Sequence, residues 1–290
     1  VALCREVGIE ANLVLFQSKE NGKNTTALPS VNFNHCIARL VIDNEVYYLE
    51  LTNNKLPFGT AVESALGSSI LPIPYKNETI GDQLLVMEMP SRKQNELIRN
   101  KRISCQNNDM KVKSGNILTG EWAAFARYVY ENMGQEDRLK SMNEDESAKW
   151  KNPVKVSDLI FSNLDNLSDS VSYQFHLEAR DALQDVANMK VFKLPWTEAV
   201  ESLSMVSSEK RNSPFEFWAY VYCDTEKEEI VFTLPENKQL VEIPENTRLE
   251  CAAATYELTF DYSKKGELRA TRTFTKLKEV VSPEEYPEFK

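Results

Sequence analysis

Histidine is the side chain best suited to acid–base chemistry near neutral pH, and His35 has a possible acidic partner close by in the sequence. Two alternating apolar runs flank Asp43-Asn44, a pair of residues typical of a two-residue hairpin turn. With that turn, residue numbers in opposing positions add up to 87, so His35 lies opposite Thr52. Glu50 then lies on the same face as His35, within reach of a long side chain. An acid that holds an imidazole N–H is the arrangement of a general base and its orienting partner.

This prediction depends on the length of the turn, because a three-residue loop would move Glu50 to the opposite face. A nucleophile is not evident beside the pair. Cys36 follows His35 directly and therefore points to the other face, among apolar residues that predict a buried thiol. Cys4 lies in an apolar helical stretch and is also expected to be structural.

The elements that must position this pair are strands of an antiparallel sheet. Residues 1–8 have the pattern of a helix end that Gly8 closes, without a capping residue at a helix start. We therefore expect the chain to be the C-terminal portion of a larger protein. A short helix is predicted near residues 60–66, and extended chain closes this unit at 70–74.

The remainder of the chain predicts more strands and one prominent helix. Three strands are expected between 81 and 118, and an amphipathic helix is expected over 120–133, continuing towards 152. From 154 onward the strand–turn punctuation favours a β-sandwich. The predicted domains are 1–80, 81–152 and 153–290, and the predicted class is α+β with a large β-rich part.

Three short segments resemble the transglutaminase-like, papain-related thiol hydrolases. The stretch 1–11 (VALCREVGIEA) resembles the end of the family's active-site helix and the strand after it. The stretch 33–37 (FNHCI) resembles its histidine strand, and 47–52 (YYLELT) resembles the strand that carries its acid, usually Asp. The resemblance covers about the first eighty residues at motif level, and the best-fitting subgroup is a Bacteroidetes-type set with flanking β-rich domains.

The resemblance implies that His35 is the general base and that Glu50 takes the place of the family's Asp. It also implies a nucleophilic cysteine about three helical turns before Cys4, outside this sequence. The reaction would be amide or peptide hydrolysis, or transamidation, on a peptide or protein substrate. The chain by itself is then expected to be inactive, and its relatives imply a periplasmic or extracellular location.

The alternative hypothesis is a non-catalytic protein that binds glycan or protein through the sandwich. Its basis is Glu50 in place of the family's Asp and the size of the β-rich part. The binding surface would be an aromatic run in which Trp218, Tyr220 and Tyr222 alternate and could form an exposed stripe. A packed sheet face is the simpler interpretation of that run. His176 is similarly interpreted as a strand histidine that faces solvent or a hydrogen-bonding partner.

Composition excludes several other classes of protein. The chain has 44 acidic and 34 basic residues and a net charge of −10, which disfavours nucleic-acid binding. The basic stretch 99–102 is interpreted as a solvated strand end. Five scattered cysteines and two histidines predict no structural zinc site and no complete disulfide framework. Neither a cofactor nor a transmembrane segment is expected, since no phosphate-binding glycine loop and no long apolar run occur.

Overall fold

The structure is a computed structural model of the 290-residue chain. It describes residues 1–21, 32–76, 78, 84–87, 95–197, 206–219, 223–236 and 238–290.

The N-terminal part is a five-stranded antiparallel sheet preceded by helix α1 (Ala2–Glu6). Its strands are β1 (Glu10–Phe16), β2 (His35–Ile42), β3 (Glu45–Leu49), β4 (Ser69–Ile73) and β5 (Leu85–Val86). They are ordered β3-β2-β1-β4-β5, so the hairpin β2–β3 forms one edge.

One face of this first sheet carries a small apolar core. Its buried members come from β1, β2, β4, the segment 61–66 and the residue that follows β5: Val14, Phe16, Ile37, Ala61, Ala65, Leu66, Ile70 and Met87. The helix predicted over 60–66 is instead a run of turns, in which the Ala65 N–H donates to the Val62 carbonyl at 2.9 Å. Three-residue turns let this segment follow the sheet and place three apolar side chains against it.

The later strands are more numerous. They are β6 (Glu96–Gln106), β7 (Asp109–Leu118), β8 (Lys155–Ser162), β9 (Val171–Ala179), β10 (Gln184–Val186), β11 (Met189–Val191), β12 (Phe215–Glu216), β13 (Thr225–Thr233), β14 (Thr247–Glu250), β15 (Ala254–Asp261), β16 (Glu267–Lys276) and β17 (Val280–Val281). Eight of them form a second sheet in the order β14-β15-β16-β13-β6-β7-β9-β8. The other four pair as β10–β11 and β12–β17.

The second sheet differs from the predicted sandwich over 153–290. Strands from both sides of residue 152 share one sheet, because β13 pairs with β6 in parallel from Thr225–Glu96 to Thr233–Ser104. Such a long-range parallel pair is invisible in local strand punctuation. The β-rich character of the chain is confirmed. The domain limits stay a prediction, and the one at 152/153 would cross this sheet.

The helices are shorter than the sequence pattern indicates. They are α2 (Gly120–Tyr130), α3 (Gln135–Ser147) and the terminal α4 (Tyr286–Phe289). Phe125 lies at an apolar position of the amphipathic helix predicted over 120–133 but is 60% exposed, whereas Arg127 is fully buried. The Arg127 guanidinium donates to the carbonyls of Lys55, Asn166 and Asp169, so it ties α2 to two loops.

The largest core lies between the second sheet and α3. It is built from inward-facing apolar residues of β6, β7, β9 and β13 together with Met142 of α3, among them Ile103, Val112, Phe175, Leu177, Ile230 and Phe232. Alternation along each strand leaves the other side chains on an outward face.

Candidate functional site

The β2–β3 hairpin has the turn and the register that the sequence predicts. Asp43 and Asn44 occupy the left-handed region, with φ of 53° and 66°, as a two-residue type I′ turn requires. Ile42 pairs with Glu45 and Ala38 pairs with Leu49, so opposing residue numbers add up to 87. This parity places His35 and Glu50 on the same face, and the structure brings them together.

His35 and Glu50 are in direct contact. The His35 Nε2 atom lies 2.6 Å from Glu50 Oε2. The other carboxylate oxygen, Oε1, accepts from the Thr52 N–H at 2.8 Å and from the Thr52 hydroxyl at 2.5 Å. Thr52 therefore holds Oε1 of Glu50, and Oε2 receives the imidazole N–H.

Burial of the two side chains differs. The Glu50 side chain is 3% exposed, whereas that of His35 is 29% exposed. Phe16, which is opposite His35 in β1, contacts the imidazole edge-on at 5.0 Å between ring centroids. An imidazole whose Nε2–H donates to a carboxylate keeps its lone pair on Nδ1, and that nitrogen has no hydrogen bond among the described residues. The arrangement can accept a proton at Nδ1 and stabilise the resulting charge through Glu50.

None of the five cysteines, all of which the structure describes, forms a hydrogen bond with His35. Cys36 corrects the sequence interpretation, because it is exposed rather than buried. It pairs with Leu15 in β1, but β3 ends at Leu49 and Leu51 beyond it is 68% exposed, so β3 does not cover the thiol. Cys4 in α1 is half-buried.

The other sequence candidates lie elsewhere. The His176 side chain is 49% exposed on β9 and contacts Asp158 at 2.9 Å, which agrees with a solvent-facing strand histidine. Trp218 is 3% exposed, so it does not belong to an exposed aromatic stripe. Tyr220 and Tyr222 lie outside the described residues.

The basic stretch 99–102 is a second correction. Arg99 and Lys101 face inward and are buried, while Arg102 faces outward. Lys101 Nζ donates to Glu228 at 2.7 Å, and Arg272 contacts the same carboxylate at 2.9 Å. The alternation of β6 could have signalled this, but the acidic partner on β13 could not be anticipated.

A buried charge cluster that the sequence did not indicate links the two sheets. Lys276 is fully buried and lies 3.4 Å from Glu63 and 3.1 Å from Glu279. Lys19 approaches the same two acids at 3.7 and 3.6 Å. Glu63 belongs to the turn segment against the first sheet, whereas Lys276 ends β16 of the second. We call Lys19, Glu63, Lys276 and Glu279 the inter-sheet cluster.

Other kinds of site find little support. Within the described residues, no group of three or more His, Cys, Asp or Glu side chains could hold a metal ion. Among those same residues, no helix has the length and apolar character needed to cross a bilayer.

Comparison with known proteins adds a match to a family model and a likeness to a solved structure. Residues 188–290 match the family model of a domain of unknown function with a solved structure, DUF3858. No curated protein matches the chain. A 2.00 Å crystal structure of a candidate protease from Parabacteroides distasonis is similar, with 11% identity and a TM-score of 0.43. That likeness covers 98% of this chain, which spans 37% of the length of the other protein.

The DUF3858 match begins near β11 and takes in β12 to β17 and α4. It therefore includes β13 and β16 but not β6, which lies beside β13 in the sheet. His35 and Glu50 lie outside the matched residues, so the match carries no information on their role.

Proposed function

We propose that His35 and Glu50 are the general base and the orienting acid of a thiol acyl-transfer site of the transglutaminase-like kind. The observation that carries the proposal is the 2.6 Å contact between His35 Nε2 and a Glu50 carboxylate that Thr52 holds by two further hydrogen bonds. The three motifs in family order support it from the sequence. The same resemblance supports a peptide or protein substrate and a periplasmic or extracellular location.

The nucleophile in this proposal is a cysteine thiol outside the described chain. Cys36 is directed to the opposite face of β2, and Cys4 lies on α1, where the C-terminal end of the helix disfavours a thiolate. The 290 residues by themselves would then supply the base and the acid but catalyse no acyl transfer.

The proposed reaction has two stages. His35 Nδ1 takes the thiol proton as sulfur attacks the carbonyl carbon of an amide, and Glu50 stabilises the imidazolium that forms. The imidazolium returns the proton to the leaving amine, and a thioester remains. Water or a second amine then attacks the thioester with His35 again as base, which releases the acid or a new amide and regenerates the thiol.

The test uses the natural protein at its full length and a panel of peptide and amide substrates. His35→Ala should lower kcat by about 10²–10⁴-fold, the range of general acid–base catalysis. Glu50→Gln should lower it by about tenfold or more, because the neutral amide cannot stabilise the imidazolium. Glu45→Gln, an exposed acid on the same hairpin, is the matched control and should leave kcat unchanged. Equal rates for the parent and His35→Ala would remove His35 from catalysis.

The alternative hypothesis, glycan or protein binding through an exposed aromatic stripe, has no support from the described residues. Trp218 packs inside the C-terminal region, and its indole N–H donates to Glu216 at 2.8 Å. A Trp218→Ala variant would therefore report on stability rather than on glycan binding.

A further inference from the structure

The outward face of the second sheet contains a cavity of about 480 Å³ between β6, β7, β8, β9 and the end of β13. Three cationic side chains line it: Arg102 from β6 and Lys111 and Lys113 from β7. All three residues are exposed. The cavity lies on the second sheet, and the site around His35 belongs to the first.

The register concentrates positive charge at one point of this face. Arg102 lies directly opposite Lys113, and Lys113 lies directly opposite His176 on the next strand. Like charges in directly opposing positions of neighbouring strands repel one another. Neither Arg102 nor Lys113 forms a salt bridge with a described residue, and the nearest compensating charge on Arg102 is the more distant carboxylate of Glu267.

On the inward face of the same sheet, in contrast, the cationic side chains form salt bridges. There Arg99 pairs with Glu226, Lys101 pairs with Glu228, and Arg272 shares the Glu228 carboxylate. The protein has ten more acidic than basic residues in total. The alignment of Arg102 and Lys113 on adjacent strands without a salt bridge is therefore not a consequence of a shortage of acids.

The groups around the cavity are mainly hydrogen-bond donors. Ser104 lies opposite Lys111, and Thr233 lies beside Ser104 in the parallel pair, so two hydroxyls join the three cations. Neither hydroxyl has a hydrogen bond to a described residue. A guanidinium, two ammonium groups and two hydroxyls match a ligand that offers several acceptor oxygens and negative charge.

Two acids also line the cavity, and their positions restrict the ligand. The Asp158 carboxylate is already engaged by His176 at 2.9 Å and by Ser157 at 3.3 Å. Glu178 lies opposite Lys111 on one side and opposite Lys155 on the other. The Glu178 carboxylate would repel an anion, so binding is centred on Arg102 and Lys113.

We propose that this cavity binds a tetrahedral oxyanion, a phosphate or sulfate group that is either free or esterified to a larger molecule. Arg102 and Lys113 would bind the anion, and Lys111 and the two hydroxyls would complete its hydrogen bonds. The site is independent of His35, so each proposal can fail without the other.

The experiment follows backbone amide signals of the chain by NMR at low ionic strength. The probes are inorganic phosphate, inorganic sulfate and N-acetylglucosamine 6-sulfate, with sodium chloride at equal ionic strength and unsulfated N-acetylglucosamine as references. Saturable shifts confined to residues around 102–104 and 111–113 are expected with the oxyanions and not with chloride. Tighter binding of the sulfated sugar than of inorganic sulfate would identify an esterified ligand, and equal affinities would identify a free anion.

Substitutions of the lining residues should change the affinity for the oxyanion in opposite directions. Arg102→Ala and Lys113→Ala should each weaken binding by about tenfold, the size of one lost charge-assisted contact. Glu178→Gln should tighten binding, because it removes the competing carboxylate. Lys265→Ala, an exposed lysine in the turn between β15 and β16, is the control and should bind as the parent does. Unchanged affinity in Arg102→Ala and Lys113→Ala, or equal shifts with chloride, would overturn the proposal.

Discussion

The Glu50 carboxylate is almost completely buried, and each of its two oxygens has a hydrogen-bond partner. A buried carboxylate is costly unless its hydrogen bonds are made, and here Thr52 and His35 make them. Glu50 reaches His35 from just beyond the end of β3, at a position where the thiol hydrolases that this segment resembles usually have the shorter Asp. The longer side chain is therefore compatible with the contact that the proposed function requires.

The cysteine thiols are predicted to differ in their rates of alkylation. Cys36 is exposed, whereas Cys223 is 4% exposed and burial raises its pKa to about 12. Iodoacetamide at pH 8 should therefore alkylate Cys36 quickly and Cys223 only after unfolding, because the reactive species is the accessible thiolate. Peptide mass spectrometry after timed labelling measures both rates. Rapid labelling of Cys223 in the folded chain, or protection of Cys36, would contradict the burial described here.

The β2–β3 hairpin is the element that sets the geometry of the candidate site. Its turn holds two consecutive residues at positive φ, which only Gly, Asn and Asp adopt at low cost. Any change of the turn that shifts the pairing by one residue would move Glu50 to the other face.

The turn therefore predicts a graded effect of substitution at Asn44. Asn44→Gly should keep or slightly raise stability, whereas Asn44→Val should lower the free energy of unfolding by about 1–2 kcal/mol, since a β-branched residue is strained at φ of 66°. Urea unfolding measures this difference. Asn54→Val, an exposed loop residue outside the positive-φ positions, is the control and should have a smaller effect. Equal losses for Asn44→Gly and Asn44→Val would contradict a type I′ turn.

At the scale of the whole molecule, the inter-sheet cluster joins the first sheet to the second. Burial raises the pKa of Glu63 to about 7, as does the neighbouring Glu279 carboxylate, while Lys276 opposes the shift. Burial alone would also raise the pKa of Glu279, but the neighbouring Glu63 carboxyl and the charges of Lys276 and Lys19 lower it. Further acids border the cluster: Glu121 accepts the Glu63 N–H, and Asp224 lies 3.9 Å from Lys276.

A stability prediction follows from the sign of this shift. The folded-state pKa of Glu63 exceeds the ordinary glutamate pKa of 4.5, so protonated Glu63 favours the folded state. The contribution is complete below about pH 4.5 and is lost as the pH rises through about 7, with an upper limit of about 3 kcal/mol. The parent chain should therefore lose stability from pH 5 to pH 8 relative to Glu63→Gln, whose amide has no proton to lose.

Urea unfolding at pH 5, 6, 7 and 8 measures that difference. Glu6→Gln, an exposed acid of α1, is the control and should follow the pH profile of the parent. Parallel profiles for the parent and Glu63→Gln would show that Glu63 does not titrate in this range.

The amino-acid sequence by itself determined the local geometry of the candidate site. Asp43-Asn44 specifies a two-residue turn, the turn specifies the pairing, and the two-residue period of a strand then places His35 and Glu50 on the same face. Tertiary structure decided what depends on partners far along the chain. Three such contacts join segments more than a hundred residues apart. They are the parallel pairing of β6 with β13, the ion pair of the inward-facing Lys101 with Glu228, and the contact of Glu63 with Lys276. Local patterns cannot specify such contacts, because each depends on which distant surface buries the side chain and on which charge lies opposite it.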